Sequence, residues 1–300
     1  MNDFHESVLL QESVNGLNIN SSGIYVDATF GGGGHSKCII NKIQAGQLIA
    51  FDQDKAAIKN KINNDSRFVM VNKNFRYLKQ QLTLLGTSSI DGLIADLGVS
   101  AYQFTNNNRG FSLKYDAVLD MRMDDDLKKD GGVILNNYNH KQLSRIFRDY
   151  ADFKNPNFIV DAILQSRSKK LINTTFELKD IFSNNLSPYN ENKFFARLFQ
   201  AIRIEVNDEI GALKELLTQC LDVLKPSGRL VIISYHSVED RIVKSFMKFG
   251  NFLNHPNKDF FGNALQPFRV VTKKPITPSS LEIKSNNKSR SAKLRICEKV

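Results

Sequence analysis

The chain predicts an α/β fold, a Rossmann-like sheet of seven strands with helices on both faces and an all-helical domain inserted partway. Three observations carry this expectation. Over the first hundred residues short apolar runs alternate with amphipathic helical stretches, the pattern of βαβ units laid over a parallel sheet. From about Asn106 to Phe199 the alternation stops, and after that it resumes.

The elements follow in order. Strands are expected at Ile24 to Ala28, Gln47 to Phe51, Phe68 to Asn72 and Ile90 to Leu97, each a short run rich in apolar and β-branched residues. Helices are expected near His35 to Ile43, Asp54 to Ile62 and Phe75 to Leu85. The interruption holds Asn clusters, an acidic knot from Asp120 to Asp126, and helical pieces at Lys141 to Tyr150 and Asn157 to Leu171, with no convincing strand. Beyond it a helical stretch runs from Leu213 to Leu224, and Lys225-Pro-Ser-Gly228 leads into the strongest strand, Arg229 to Tyr235. A helix at Val238 to Phe249 and two more β-like runs, Phe268 to Thr272 and Ala292 to Glu298, complete seven strands. The domains are therefore 1–106 with 199–300, and an inserted 107–198.

Bulk properties narrow the class. Three hundred residues, 41% hydrophobic, suffice for a sizeable core. No stretch approaches the roughly 18 apolar residues of a membrane helix, and M-N-D-F-H-E-S matches neither a secretory signal nor a transit peptide, so the expected location is the cytoplasm. Cys38, Cys220 and Cys297 are far apart and fall in apolar contexts, which reads as reduced core residues. The net charge of +10 suggests a polyanionic partner, and residues 269–300 concentrate it, with nine Lys or Arg against two Glu. The acidic knot reads as a solvated face, so no metal is expected.

The chemistry centres on Y-V-D-A-T-F-G-G-G-G-H-S, residues 25–36. Four consecutive glycines between a strand and a helix suit only a sharp bend or close approach to a ligand. A dinucleotide G-x-G-x-x-G fails in both registers, because Gly31 and Gly33 lead to Ser36, and Gly32 and Gly34 lead to Lys37. No Gly-Lys-Ser/Thr follows, so a phosphate loop of the Walker type is also excluded. Asp52 ends the second strand about 20 residues on, where a carboxylate accepts ribose hydroxyls. Asp96, at the fourth strand's end, places a polar residue beside a transferable group.

These residues, with L-I-A-D-L-G-V-S, N-R-G-F-S, L-D-M-R-M-D, F-Q-A-I-R-I-E-V-N, I-S-Y-H-S-V-E-D-R-I-V-K and S-R-S-A-K-L-R, resemble the RsmH (MraW) family. The blocks span Val26 to Arg295 in the family's order. The resemblance implies a class I methyltransferase that uses S-adenosylmethionine to methylate the N4 amine of a cytidine in small-subunit ribosomal RNA, near the decoding centre. The partner is then that RNA or the assembled small subunit. The implied cofactor contacts are Gly33, Gly34, His35, Asp52, Phe75, Asp96 and Gln103. Here Gln103 stands in Ala101-Tyr102-Gln103-Phe104, where the family usually has Ser-Pro-Gln-Leu.

No cysteine sits near a site strand end, so covalent C5 chemistry is not expected. Direct attack of the amine is expected instead, with Asp96 or a neighbouring main-chain carbonyl accepting its hydrogen bond. Arg203, Asn207 and His236 are candidate substrate contacts. Arg203 and Asn207, four apart on one helix face, serve equally to brace the insertion. Competing readings are a non-enzymatic RNA-binding module and an amino methyltransferase for another nucleic acid.

Overall fold

Strand register explains where the polar ends of the sheet collect. The computed structural model describes residues 7–100, 109–183 and 186–300. Its strands are β1 (Ile24–Asp27), β2 (Gln47–Phe51), β3 (Phe68–Val71), β4 (Ile90–Asp96), β5 (Leu224–Ser234), β6 (Asn257–Lys258), β7 (Ala264–Leu265), β8 (Phe268–Val270) and β9 (Lys293–Lys299). Seven of them form one sheet in the order β3-β2-β1-β4-β5-β9-β8, while β6 and β7 pair only with each other. The five from β3 to β5 are parallel, and β9 runs antiparallel to both β5 and β8. Asp27 pairs with Ala50 and with Ile94, Phe51 with Val71, and Asp96 with Ile233, so the carboxyl ends of the five parallel strands share one edge. The strand order reverses between β1 and β4, the place where open α/β sheets bind ligands.

Helices α1 (Leu10–Gly16), α2 (Gly34–Ile40) and α3 (Leu78–Leu84) precede the insertion. Within it lie α4 (Gly131–Asn137), α5 (His140–Ala151), α6 (Asn157–Arg167), α7 (Thr175–Asp180) and α8 (Pro188–Asn207). Then come α9 (Glu209–Val223), α10 (Ser237–Phe249) and α11 (Ser280–Ser285). Period-two alternation in the strands supplies both faces of the sheet. Val26, Ile49, Leu93 and Ile232 pack with Leu78 and Leu82 of α3, Leu216 of α9 and Phe246 of α10. Their neighbours Tyr25, Leu48, Ile94 and Val231 pack on the other face with Val14 of α1 and Ile39 of α2. Helices thus cover both faces, as the sequence predicts.

Contacts group the chain into two units, one up to Gly98 and again from Gly211, the other Val99–Ile210. The second unit is wider at both ends than the 107–198 read from the sequence. Val99 joins its core, and α8 runs unbroken past residue 198 with Phe195, Leu198, Ile202 and Val206 buried on one face. That core is aromatic-rich, with Phe182 5.1 Å from Phe194 and 6.3 Å from Phe195. Capping boxes start α5 (Asn139 with Gln142) and α7 (Thr174 with Glu177). Among the described residues the unit's strand content is one isolated bridge, Val118 to Thr174.

The expected helix over Asp54 to Ile62 is instead a single 3₁₀ turn at Ala57–Asn60. Asp52 Oδ1 accepts from the Asp54 amide at 2.8 Å and Asp54 Oδ1 from that of Ala56 at 2.9 Å. Both amides lie where a first helical turn leaves N–H groups without partners, so these bonds cap the turn, and only Ala57 of the turn is buried to support a longer helix. The strand expected at Phe268 to Thr272 ends at Val270.

Candidate active site

The glycines divide by what their Cα faces. Gly33 caps α2 in the left-handed region, φ 77°, and its amide donates to the Phe30 carbonyl at 2.8 Å. A Cβ there would lie 2.8 Å from the Phe30 ring, and one on Gly34 would lie 2.0 Å from Ser7 Oγ. These two, read from the sequence as cofactor contacts, have their Cα faces turned into the chain. Gly31 and Gly32 would carry a Cβ with nothing within 4 Å. The open side of the loop is therefore at Gly31 and Gly32, which sequence reasoning did not single out.

Three carboxylates surround this loop. Asp27 and Asp96 follow Tyr25 and Ile94 by two residues in their strands, so pleat parity sets both on the α2 face, and Asp52 is the first residue beyond β2. Asp27 is fully buried, accepting from Ser36 Oγ at 2.6 Å and from the Thr29 amide at 3.1 Å. Asp52 Oδ2 accepts from the Gly31 amide at 2.8 Å, which fixes the loop to the second strand. Thr29 Oγ1 accepts from the Asp96 amide at 2.6 Å, fixing it to the fourth. Burial pushes all three carboxyls up to about 6. For Asp27 the Ser36 and Thr29 bonds act against burial; for Asp52 those from Asp54 and Gly31 do so. Opposing burial at Asp96 are His35 and the Tyr235 hydroxyl. Three carboxylates grouped about one loop make an environment suited to a cationic ligand and hostile to a pyrophosphate.

His35 is buried, with its Nε2 3.2 Å from the Val8 carbonyl, so the proton sits on Nε2 and points at the N-terminal segment. Burial lowers its pKa, with Asp96 and the Val8 bond only partly offsetting. Its role in the described contacts is to hold residues 7–9 against the loop. Phe75 begins the 3₁₀ turn Phe75–Tyr77 just beyond β3, half-buried at the border of the core. The segment is tied to β2 by Asn72 Nδ2 donating to the Asp52 carbonyl at 2.8 Å and Asn74 Nδ2 to Gln53 Oε1 at 2.7 Å.

Tyr235, which sequence reasoning treated only as a strand terminus, donates its hydroxyl to Asp96 Oδ1 at 2.7 Å. Burial, first, and the Asp96 charge raise its pKa far above the ordinary phenol value, so it remains a donor. The usable signal was its position at the end of the strand adjacent to β4. His236 caps α10, its Nδ1 accepting from the Glu239 amide at 3.4 Å. Its Nε2 lies 3.2 Å from Glu239 Oε1 without hydrogen-bond alignment. Glu239 Oε2 in turn accepts from the Tyr235 amide at 3.0 Å.

In the inserted unit Asn207 is buried, accepting from the Met123 amide at 2.7 Å and donating to the Met121 carbonyl at 2.8 Å. Arg203 forms a two-point ion pair with Glu209 at 2.8 and 3.0 Å. Gln103 lies outside the described residues. In the acidic knot Asp120 is paired to Arg122 at 2.7 Å; burial is the largest single influence on its carboxyl, but the Arg122 side-chain and amide bonds together with the Arg122 and Arg109 charges hold it low. No group of three metal-ligating side chains occurs among the described residues. Cys220 and Cys297 lie in the core, the Cys220 thiol pushed up to about 12 by burial, so neither is a thiolate. No described helix is long and apolar enough to cross a membrane.

The profile of the family described as MraW methylase family matches residues 2–300. A ribosomal RNA small subunit methyltransferase H from Christiangramia forsetii is 48% identical over 299 residues, covering 99% of this chain and 98% of its own length. Proteins of the same name from Flavobacterium johnsoniae and Cytophaga hutchinsonii are 47% and 48% identical, covering 99% of this chain and 98% and 99% of theirs.

Proposed function

This chain belongs to the MraW methylase family, and from that premise we propose that it transfers a methyl group from S-adenosylmethionine to the N4 amine of a cytidine in small-subunit ribosomal RNA. The observation that carries the proposal is the convergence of Asp27, Asp52 and Asp96 on a glycine loop whose open side is Gly31 and Gly32. These residues fit the cofactor. The vacant Cα faces leave room for a ligand against the main chain, Asp52 stands where ribose hydroxyls donate, and Phe75 offers a ring beyond β3. A cation suits a pocket of three crowded acids, and sulfonium and ammonium groups supply one.

When bound, S-adenosylmethionine supplies an electrophilic methyl group. The chain's own residues do the rest. Asp96, ionised and oriented by Tyr235, accepts a hydrogen bond from the cytidine amine and turns its lone pair toward the reaction axis. The buried surroundings of Asp96 strengthen that bond by excluding water. Attack is direct, because the buried cysteines provide no thiolate to add to the ring, and the proton that the methylated amine sheds passes to the Asp96 carboxylate. His236, two residues beyond the end of β5 and next to Tyr235, is a candidate contact to the incoming nucleotide. Arg203 and Asn207 brace the inserted unit, as their bonds within it support.

A cytidine amine is reachable only when unpaired, so the base enters splayed from its strand. The relatives are named for small-subunit ribosomal RNA, and the exposed Lys284, Lys288 and Arg290 near the C-terminus suit its phosphates. Calorimetric titration with S-adenosylmethionine and with NAD tests the cofactor assignment. The expected result is saturable binding of the first only. Preferential binding of NAD, or of neither ligand, would point to an oxidoreductase or a non-enzymatic RNA-binding module.

A further inference from the structure

The segment after α10 forms a device that no part of the methyl-transfer site uses. Residues Asn257–Leu265 fold as a hairpin, β6 paired with β7, that stands outside the main sheet. Its tip, Asp259-Phe-Phe-Gly-Asn263, is pinned on itself. Asp259 Oδ1 accepts from the Phe261 amide at 2.9 Å and the Asn263 amide at 2.8 Å, and Asp259 Oδ2 accepts from Asn263 Nδ2 at 3.0 Å. Gly262, at φ 87°, supplies the left-handed residue that closes the turn. This ordered turn holds two phenylalanines out of the protein, Phe260 98% and Phe261 85% exposed, their rings edge to face at 5.7 Å. Folding gains almost nothing from rings so exposed, so the order of the turn serves something outside the chain.

The hairpin adjoins a basic groove. A cavity of about 440 Å³ is lined by Lys214 of α9, by Arg241, Lys244 and Lys248 of α10, and by Phe252 and Asn254. Arg241, Lys244 and Lys248 recur at helical spacing on one face, and no carboxylate is among the lining residues. Lys214 Nζ lies 5.7 Å from the Phe252 ring centroid. The groove and the hairpin are one connected piece: Asn251 Nδ2 donates to the His255 carbonyl at 3.0 Å and reaches Asn257 Oδ1 at 3.3 Å. Exposed aromatic rings on a hairpin whose base is tied to the segment that lines a row of cations match the chemistry of a single-stranded nucleic acid, whose bases stack while its phosphates track the positive groove.

We infer that Phe260 and Phe261 form a stacking platform for unpaired bases of the substrate RNA, with the groove of Lys214, Arg241, Lys244 and Lys248 holding the adjoining phosphates. The surface commits the protein to RNA and not to a protein partner, because a polyanion is complementary to the groove and an apolar protein pocket is not. It rests on the reading of the substrate as RNA, and it adds a second point of attachment apart from the cofactor loop.

The test exploits the absence of tryptophan in the sequence. A Phe260→Trp variant carries a single fluorophore at the tip. Titrated with an unpaired oligoribonucleotide in the absence of cofactor, its emission is expected to be quenched as bases stack. In parallel, Phe260→Ala/Phe261→Ala is expected to weaken binding of the oligoribonucleotide by at least about fivefold, the smallest loss expected from a base–aromatic stack. Lys244→Ala/Lys248→Ala is expected to reduce the salt slope by about 1.4, since each single-strand phosphate contact contributes about 0.7. All these side chains are exposed at least in their charged or apolar ends, and melting temperatures check that folding is intact. Unquenched emission at saturation, with wild-type affinity in the alanine variants, overturns the inference while leaving the methyltransferase reading in place. Loss of binding only to assembled subunits, with naked RNA bound as by wild type, overturns it in favour of a protein contact. Failure of the wild type to bind any RNA overturns both readings.

Discussion

Tyr235 donates a 2.7 Å hydrogen bond to Asp96 Oδ1 across adjacent parallel strands, and the Asp96 amide is held in turn by Thr29 Oγ1 at 2.6 Å. The carboxylate proposed to meet the substrate amine is thereby fixed at both its main chain and its side chain. Removing the phenol hydroxyl removes a donor that favours the charged form of Asp96. The prediction for Tyr235→Phe is a kcat reduced by roughly tenfold, the usual worth of a hydrogen bond to a charged group. Its acidic limb, which the bound cation places below the ligand-free Asp96 value of about 6, moves to higher pH because the protonated carboxyl gains ground. A pH profile of single-turnover methyl transfer checks both. An unshifted limb would remove Asp96 from the chemistry.

The glycine loop separates folding from binding. Gly32→Ala introduces a Cβ with no neighbour within 4 Å. It should leave stability within roughly 0.5–1 kcal/mol of wild type while weakening cofactor affinity by about tenfold or more, because the methyl occupies the open cradle. Gly34→Ala drives its Cβ to 2.0 Å from Ser7 Oγ, so it should lower the melting temperature and displace the N-terminal segment. Calorimetric titration and thermal melts read the two effects apart. Equal cofactor affinity for Gly32→Ala and wild type would show that the ligand does not lie against this part of the loop.

Asp27 makes a prediction with an unusual sign. Its folded pKa of about 6 exceeds the unfolded value of 3.8, so the folded state binds the proton more tightly. Its favourable contribution is complete below pH about 4 and is lost as pH rises through about 6. Relative to Asp27→Asn, the wild type should therefore lose on the order of 2 kcal/mol between pH 4 and pH 7. Denaturant melts of both proteins at the two pH values measure the difference. A wild-type advantage that grew with pH would mean that the Ser36 and Thr29 bonds outweigh burial.

Cofactor binding should release protons near pH 6. A cation entering among Asp52 and Asp96, each raised to about 6 by burial, lowers both values. At pH 8 both carboxylates are already ionised and the release should vanish. Titration calorimetry in buffers of different ionisation enthalpy counts the protons, and proton uptake at pH 6 would contradict a cationic ligand in this crevice.

Asn207 tests the insertion by itself. Replacing it with Ala strands the Met123 amide and the Met121 carbonyl inside the unit, at a cost of about 1–3 kcal/mol per buried group left unpaired. Cofactor affinity should be unchanged. A stable Asn207→Ala protein would restore a direct substrate role to that residue.

The sheet and the positions of Asp52 and Asp96 were readable because strands announce themselves by short β-branched runs and because a strand-end acid needs only its strand. Tyr235 was harder to recognise. Its partner is 139 residues away in sequence, so the bond exists only through the β4 to β5 pairing. The division of the four glycines was also unreadable, since it depends on Phe30 and on Ser7 filling two of four otherwise similar positions. The Asp54 to Ile62 stretch misled because helical spacing of a few apolar residues looked sufficient, whereas only Ala57 of the turn is buried and too little apolar contact supports a longer helix. Short elements such as α1 and the β6–β7 hairpin carried too little periodic signal. The hairpin is defined by Asp259, Gly262 and Asn263 at its turn more than by its two-residue strands.

The most direct test of the central claim is to incubate the protein and methyl-labelled S-adenosylmethionine with small ribosomal subunits lacking the modification, digest the RNA to nucleosides and identify the labelled one by mass spectrometry. Label is expected on the N4 amine of a single cytidine, reduced by Gly32→Ala at subsaturating cofactor and by Tyr235→Phe. Label at C5, or no label in RNA when the cofactor is bound, would contradict it.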